Sequence, residues 1–373
     1  MKILHFYRTY YPDSFGGVEQ VIRQMVNGSA KLGIDAEVLT LTRDIQNLEI
    51  EFEGHKVHRA ALDVEIASTG FSWSSLSRFK QLASEADIVH YHFPWPFMDL
   101  AHFACQIKKP SVVTYHSDIV RQKYLLKLYQ PLKSRFLNRV DRIVATSPNY
   151  LATSTTLEKY QDKTEIITYG LDKSIYPEPS ETQLQNWRTR FPQPFFLFVG
   201  MLRYYKGLHV LLDAVAGTDM PVVILGDGPV EAELKQQAQQ LGLRNLHFLG
   251  ALPELDKVAL LQLCYALVFP SHLRSEAFGI TLLEAAMFGK PMISCEIGTG
   301  TSYVNLDQET GLVVPASDPA ALRQAMQHLL AHPEQARTMG IKAALRYESM
   351  FTAERMAKNY QRLYQEILEQ RQS

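Results

Sequence analysis

The sequence predicts an α/β protein made of two doubly wound parallel sheets. Three observations carry that expectation. Short apolar runs alternate with amphipathic helical stretches along most of the chain, the pattern of strand–helix–strand units. The length, 373 residues, is enough for two domains of ordinary size. A loop-rich stretch at 171–194, with Pro177, Pro179, Pro192 and Pro194 around a short helix, interrupts the alternation midway. The expected division is a first domain at 1–170, a linker at 171–194, a second domain at 195–350 and a closing helix at 351–373. That helix has no strand partner of its own. It carries one apolar stripe, Met356, Tyr360, Leu363, Tyr364 and Ile367, and is expected to pack back on the first domain.

Bulk properties exclude several classes. A net charge of −1 gives no general attraction to nucleic acid, and no nucleic-acid partner is expected. The three cysteines, Cys105, Cys264 and Cys295, are an odd number with no close pair. They argue against a disulfide framework and a cysteine zinc site, and fit a reducing compartment. The chain opens directly into a strand-like run, with no pattern of a signal peptide, and has no stretch of 18 apolar residues. The expected location is therefore cytoplasmic.

In the first half, strands are expected at 2–7, 36–42, 87–92, 111–115, 142–146 and 164–168. Helices are expected at 18–32, 73–84, 96–106, 118–138 and 148–160. The pair Gly16-Gly17 lies at the first helix start, where glycine lets a phosphate approach the backbone. An ordinary tight turn would look the same. His116 sits where a strand hands over to a helix, as a functional histidine or as one bonded to backbone. His90 and His92 share a strand face. Their spacing alone permits a metal pair, but no acidic or cysteine partner lies nearby in sequence, so no metal is expected.

The segment 118–141 carries Arg121, Lys123, Lys127, Lys133, Arg135 and Arg139 with no acidic residue strictly between its ends. Leucines and aromatics interleave with the cations, and Pro131 is expected to kink or split the helix. Two readings stay open: a basic amphipathic element lying on an anionic membrane surface, or a core helix with a solvated basic face.

In the second half, strands are expected at 195–199, 221–226, 246–249, 266–269, 291–295 and 311–314. Helices are expected at 207–216, 230–241, 254–263, 280–288 and 318–331. Three loops at strand ends bear chemistry. The first, 200–207, supplies Arg203 and Lys206 between flanking glycines, which suits a diphosphate. The second is the turn Gly226-Asp227-Gly228-Pro229 into a helix. The third runs from Glu276 through Ala277, Phe278, Gly279 and Ile280 to Glu284. It brackets a helix start, an anion site by its unpaired N–H groups, with two carboxylates suited to hydroxyls.

Together these motifs resemble the retaining glycosyltransferases of family GT4, with the GT-B architecture of two facing Rossmann-like domains and a cleft between them. The resemblance covers essentially the whole chain, in order and spacing, and includes the E-x7-E signature Glu276 to Glu284. The phrases Tyr91-His92-Phe93-Pro94-Trp95-Pro96 and Thr114-Tyr115-His116-Ser117-Asp118 also look like the mannosyl- and D-rhamnosyltransferases that build O-antigens from GDP-sugars. The resemblance implies a role for each of these residues. Gly16 and Gly17, Arg203 and Lys206 would hold the donor diphosphate. Glu276, with Ala277, Phe278 and Gly279, would hold the donor sugar, and Ile280 lies at the same helix start. Glu284 would bind the ribose. Gly226 and Leu252 would line the nucleotide, and His116 would sit near the reacting centre. Many members have arginine at the position of Met201; here Arg203 would replace it.

Catalysis would fall to His116, Arg203, Lys206 and Glu276. The chain has no D-x-D motif, so cations and helix starts would replace a metal, and no cofactor is expected. The implied partners are a nucleotide sugar and a lipid-linked oligosaccharide acceptor. Such an acceptor would place the enzyme in the cytoplasm, peripheral on the inner face of the cytoplasmic membrane. A sugar-nucleotide epimerase with the same fold, or a noncatalytic partner subunit, are the competing readings.

Overall fold

The structure, a computed structural model, describes residues 1–66, 69–119 and 123–372. It divides into two compact units, Met1–Gly170 with Ala353–Ser373, and Leu171–Thr352.

Unit 1 begins with β1 (Lys2–Phe6), α1 (Gly17–Ala30) and β2 (Asp35–Thr42). Then follow β3 (Glu49–Phe52), β4 (His55–Ala61), β5 (Val64–Ile66), β6 (Thr69–Phe71) and α2 (Trp73–Glu85). The series continues with β7 (Ile88–Phe93), α3 (Pro96–Ala104), β8 (Ser111–Tyr115), α4 (Lys123–Arg139), β9 (Arg142–Ala145), α5 (Pro148–Thr153) and β10 (Thr164–Ile166). Eight strands form one sheet in the order β10-β9-β8-β7-β1-β2-β4-β3. All its pairs are parallel except β3–β4. The central strands β1, β7 and β8 are almost wholly buried, as a sheet covered on both faces requires.

Unit 2 contains α6 (Glu181–Arg190), β11 (Phe196–Val199), α7 (Leu208–Val215), β12 (Val222–Leu225), α8 (Glu231–Gln240), β13 (Leu246–Gly250) and α9 (Glu254–Leu263). It goes on with β14 (Ala266–Phe269), α10 (Ile280–Met287), β15 (Met292–Glu296), α11 (Thr301–Val304), β16 (Gly311–Pro315), α12 (Pro319–Ala331) and α13 (Pro333–Met350). Its six strands are all parallel, in the order β13-β12-β11-β14-β15-β16. Phe196, Phe198, Val222, Ile224, Val268 and Ile293 pack on helical Leu211, Leu212, Met326 and Leu329. The stretch expected as a linker holds α6, whose Trp187 Nε1 donates to Asp256 of α9 at 2.9 Å.

The last helix, α14 (Ala353–Gln372), belongs to unit 1 and packs on α1. Its whole predicted stripe, from Met356 to Ile367, is buried. Gly28 of α1 lets the two helices meet, since a Cβ there would stand 2.8 Å from the Ala357 Cβ.

Four expectations need correction. The region 43–72, read as no element, contains β3 to β6. Of these, β3 and β4 close the edge of the main sheet, with Arg59 turned inward to Asp13 at 2.9 Å and His58 to Glu37 at 2.9 Å, and β5 and β6 pair as a separate two-stranded sheet. The helix expected from 118 does not include Asp118, whose carboxylate instead accepts from Tyr115 and Ser154 at 2.8 and 2.9 Å. Arg121 lies outside the described residues. From Lys123 the helix runs through Pro131 without being split. The helix expected at 148–160 ends at Thr153, where Ser154 turns extended before a 3-10 turn at Leu157–Lys163. Finally, α13 was not anticipated at all.

Candidate active site

In unit 1, β1 runs into a loop that Gly16 closes as the extended cap of α1. A Cβ on Gly16 would stand 2.3 Å from Glu19 Oε2. Glu19 is buried in the first turn and accepts from Ser14 Oγ at 2.7 Å. The carboxylate thus stands beside Gly16 at the start of α1, a favourable place for a negative charge. The absent side chain at Gly16 is explained by this internal packing. Gly17 is the first residue of α1.

His116 follows β8 directly and is buried. Its Nε2 lies 2.9 Å from His92 Nδ1, and its Nδ1 lies 2.5 Å from the Tyr169 hydroxyl. His92 Nε2 in turn meets His5 Nδ1 at 3.0 Å. Burial lowers the pKa of His5 and of His116 to about 3, so both rings are neutral near pH 7. Both ring nitrogens of His116 thus have hydrogen-bond partners within unit 1.

Unit 2 gathers most of the remaining residues at the carboxyl ends of its strands, where open α/β sheets bind ligands. After β11 the chain turns at Gly200, then passes Arg203 to a 3-10 turn at Tyr204–Lys206. Lys206 Nζ bonds Glu276 Oε2 at 2.5 Å, and both side chains are only 11% exposed. Ser271 Oγ also reaches that carboxylate, at 3.3 Å. Burial alone would lower the Lys206 pKa, but the Glu276 charge outweighs it and the net shift is upward. Lys206 is therefore a cation held charged in a nearly dry position. Gly207 behind it has φ +70°, and a Cβ would lie 2.0 Å from the Pro270 carbonyl oxygen.

Arg203 is exposed, with Nε 2.9 Å from Met201 Sδ, so the arginine and the residue it was expected to replace touch each other. The turn from Gly226 is stacked on this loop. A Cβ on Gly226 would stand 2.1 Å from the Gly200 carbonyl oxygen, and Leu202 N–H donates to the Asp227 carbonyl at 2.7 Å. Gly226 and Gly228 are explained by that close approach of two backbones. Leu252, just past β13, is half-buried.

The third loop leaves Glu276 buried and Ala277 half-buried, buries Phe278, and enters α10 through Gly279 at φ +89°. The Ala277 carbonyl accepts from Gly300 N–H at 2.9 Å, which ties the loop to the strand-end turn after β15. Ile280 begins the helix, and Glu284 follows inside it, 3% exposed. Two partners of Glu284 were missed in the sequence. Lys257 Nζ of α9 lies 2.7 Å from Glu284 Oε1, and the Tyr176 hydroxyl donates to the same oxygen at 3.1 Å. Burial opposes the Lys257 charge, but Glu284 and Glu254 raise its pKa on balance. In sequence Lys257 looks like an ordinary helical partner of Glu254, three residues earlier.

A profile described as Glycosyl transferases group 1 matches residues 180–346, and one described as Glycosyltransferase Family 4 matches residues 15–174. D-rhamnosyltransferase WbpZ of Pseudomonas aeruginosa is 63% identical over 353 residues, covering 95% of this chain and 93% of the relative. O-antigen chain mannosyltransferase C of Escherichia coli is 52% identical over 369 residues, 99% of both chains. Among solved structures, sucrose-phosphate synthase from Thermosynechococcus elongatus superposes with a TM-score of 0.81 at 21% identity, covering 98% of both chains. WaaG, a glycosyltransferase of lipopolysaccharide biosynthesis, gives 0.70 at 16%, covering 96% of this chain and 98% of its own. The fold is thus of the GT-B class. The chain belongs to glycosyltransferase family 4 and is a glycosyltransferase. Among the described residues, no helix is long and apolar enough to cross a membrane.

Proposed function

We propose that this enzyme transfers a D-rhamnosyl or mannosyl residue from a GDP-linked donor to a lipid-linked saccharide during O-antigen assembly, with retention of configuration and without a metal. The named activities of the two relatives at 63% and 52% identity support the sugar and the pathway class. The observation that carries the chemistry is the buried pair of Lys206 with Glu276 beside the start of α10. As a nucleoside diphosphate leaves, negative charge grows on its outer phosphate. A preorganised, charged lysine stabilises that charge most where it develops. On donor binding, Lys206 would turn to the diphosphate with Arg203. Glu276 would accept from sugar hydroxyls and Glu284 from the ribose, with Ala277 to Ile280 and the stacked Gly226 turn framing the ligand. The leaving phosphate would help deprotonate the acceptor in a front-face attack.

The basic face of α4 supports contact with an anionic membrane surface at the inner leaflet. Lys127, Arg135 and Arg139 are exposed there beside Leu128, which is 81% exposed. Lys133 contributes nothing to that face, being buried with Nζ 3.1 Å from Thr156 Oγ1.

A thermal-shift panel of GDP-, UDP-, ADP- and dTDP-sugars tests the donor. GDP-mannose or GDP-D-rhamnose should stabilise the protein at concentrations where the others do not. Stabilisation by a UDP-sugar alone would reject the donor assignment, and a trapped glycosyl–enzyme adduct would reject front-face attack.

A further inference from the structure

When the donor binds as proposed above, Glu276 turns to sugar hydroxyls, and Lys206 loses the carboxylate that keeps it charged. Lys206 is 9% exposed, and burial by itself lowers its pKa. An ammonium in so dry a place needs a second partner, or it gives up its proton. The structure supplies one. Lys206 Nζ stands 4.8 Å from the centroid of the Phe269 ring, within the range of a cation–π contact. The Tyr205 ring is more distant, at 5.4 Å. Among the described residues, Glu276 is the one hydrogen-bond partner of Nζ.

Phe269 is the last residue of β14 and is buried. Its place follows from the sheet order: β14 lies beside β11, the strand whose loop carries Lys206. The backbone fixes the approach of the two loops. His272 N–H donates to the Tyr205 carbonyl at 3.0 Å, and Gly207 meets the Pro270 carbonyl. Residues on either side of Lys206 are thus tied to the chain just after Phe269. The ring also meets the start of α10, since a Cβ on Gly279 would stand 3.2 Å from Phe269 Cε1. One ring therefore lies against both the cation and the helix start assigned to the donor. An aliphatic side chain would fill the same space but offer the ammonium no electrostatic attraction. A ring face attracts the charge without occupying an N–H. All three donors of the ammonium then remain for phosphate oxygens once Glu276 turns away.

We propose that Phe269 is a positioning residue, whose ring holds the Lys206 ammonium charged and in place while Glu276 is engaged by the donor sugar. The proposal rests on the glycosyl-transfer reading above, in which Lys206 faces the diphosphate. It is tested on the full-length chain with mono-, di- and trifluorinated phenylalanine in place of Phe269. Each fluorine weakens the negative face of the ring and changes its size little. In transfer assays with GDP-mannose and GDP-D-rhamnose, kcat should fall stepwise with fluorine count, by about tenfold across the series. The donor KM should stay within about twofold, and the unfolding midpoint should not move. Phe269→Leu should match the trifluoro variant. A level kcat across the series overturns the proposal, and so does a fall that the midpoint follows, as a packing role would give. A raised KM with unchanged kcat also overturns it, because the ring would then serve donor binding alone. In a Lys206→Met chain the series should be level, because no cation remains to be held; the same stepwise fall there overturns the proposal. Wild-type chain that transfers no sugar from any donor of the panel defeats the functional reading. A level series in a chain that transfers sugar defeats the role of Phe269 alone.

Discussion

Lys206 and Glu276 sit 70 residues apart in sequence and 2.5 Å apart in space. The lysine is there because its loop follows β11, and the glutamate because its loop follows β14, the neighbouring strand. Replacing Lys206 with Met should reduce turnover by about 10²–10³-fold, the usual loss when one group stabilising transition-state charge is removed. Steady-state kinetics on a variant shown to be folded by circular dichroism decides it. A second pair behaves differently. Glu284 and Lys257 are joined inside unit 2, so removing one partner strands a buried charge. Lys257→Met should destabilise the protein by about 3–5 kcal/mol in denaturant unfolding. The double variant Lys257→Met, Glu284→Gln should recover most of that loss. Both glutamates were legible in the sequence because they bracket a recognisable helix start. Lys257 was not, because nothing along the chain links it to a residue 27 positions later.

Elements explain why the glycines occur where they do. The turn at Gly226 and the loop at Gly200 are two backbones in contact, and α10 starts from the left-handed Gly279. The unanticipated α13 repeats the theme. Gly340, in mid-helix, faces Gly289 at the end of α10's turn, and a Cβ on it would stand 2.2 Å from the Gly289 carbonyl oxygen. A glycine inside a polar, alanine-rich stretch weakens the helical signal. Here it is required by the packing of α13 on α10. Gly340→Val should cost about 1–3 kcal/mol as overpacking, read as a lowered unfolding midpoint. An unchanged midpoint would mean that the two helices separate easily.

At the scale of the molecule, the histidine series makes stability depend on pH. His5 and His116 titrate at about 3 when folded against 6.5 ordinarily, and His90 and His92 are also held well below it by burial. Between those limits the unfolded chain binds more protons than the folded one. Stability is therefore fully present above about pH 6.5 and falls as the pH drops toward 3, by up to about 1.4 kcal/mol per pH unit for each histidine. These four histidines belong to unit 1, while in unit 2 burial also lowers the pKa of the half-buried His209 and His247. Hydrogen exchange, corrected for intrinsic rates, should show β1, β7 and β8 losing protection from pH 7 to pH 5 before β11 and β14 do. Equal loss in both units would reject this account.

The amino-acid sequence by itself determined the alternation of strands and helices, every parallel strand of the second unit, the stripe of α14 and the strand-end loops that carry Lys206, Glu276 and Glu284. Those features are local: periodicity, glycine and proline at element ends, and charged residues where a helix begins. The tertiary structure decided the rest. It showed that Glu19 fills the space beside Gly16, that His116 is bonded into a buried series, and that charged strands at 49–61 close a sheet. Each of these depends on partners brought together by folding over long stretches of chain. Spacing along the sequence reports which face a side chain shares, but only packing determines what stands opposite it and whether its charge or its hydrogen is still available.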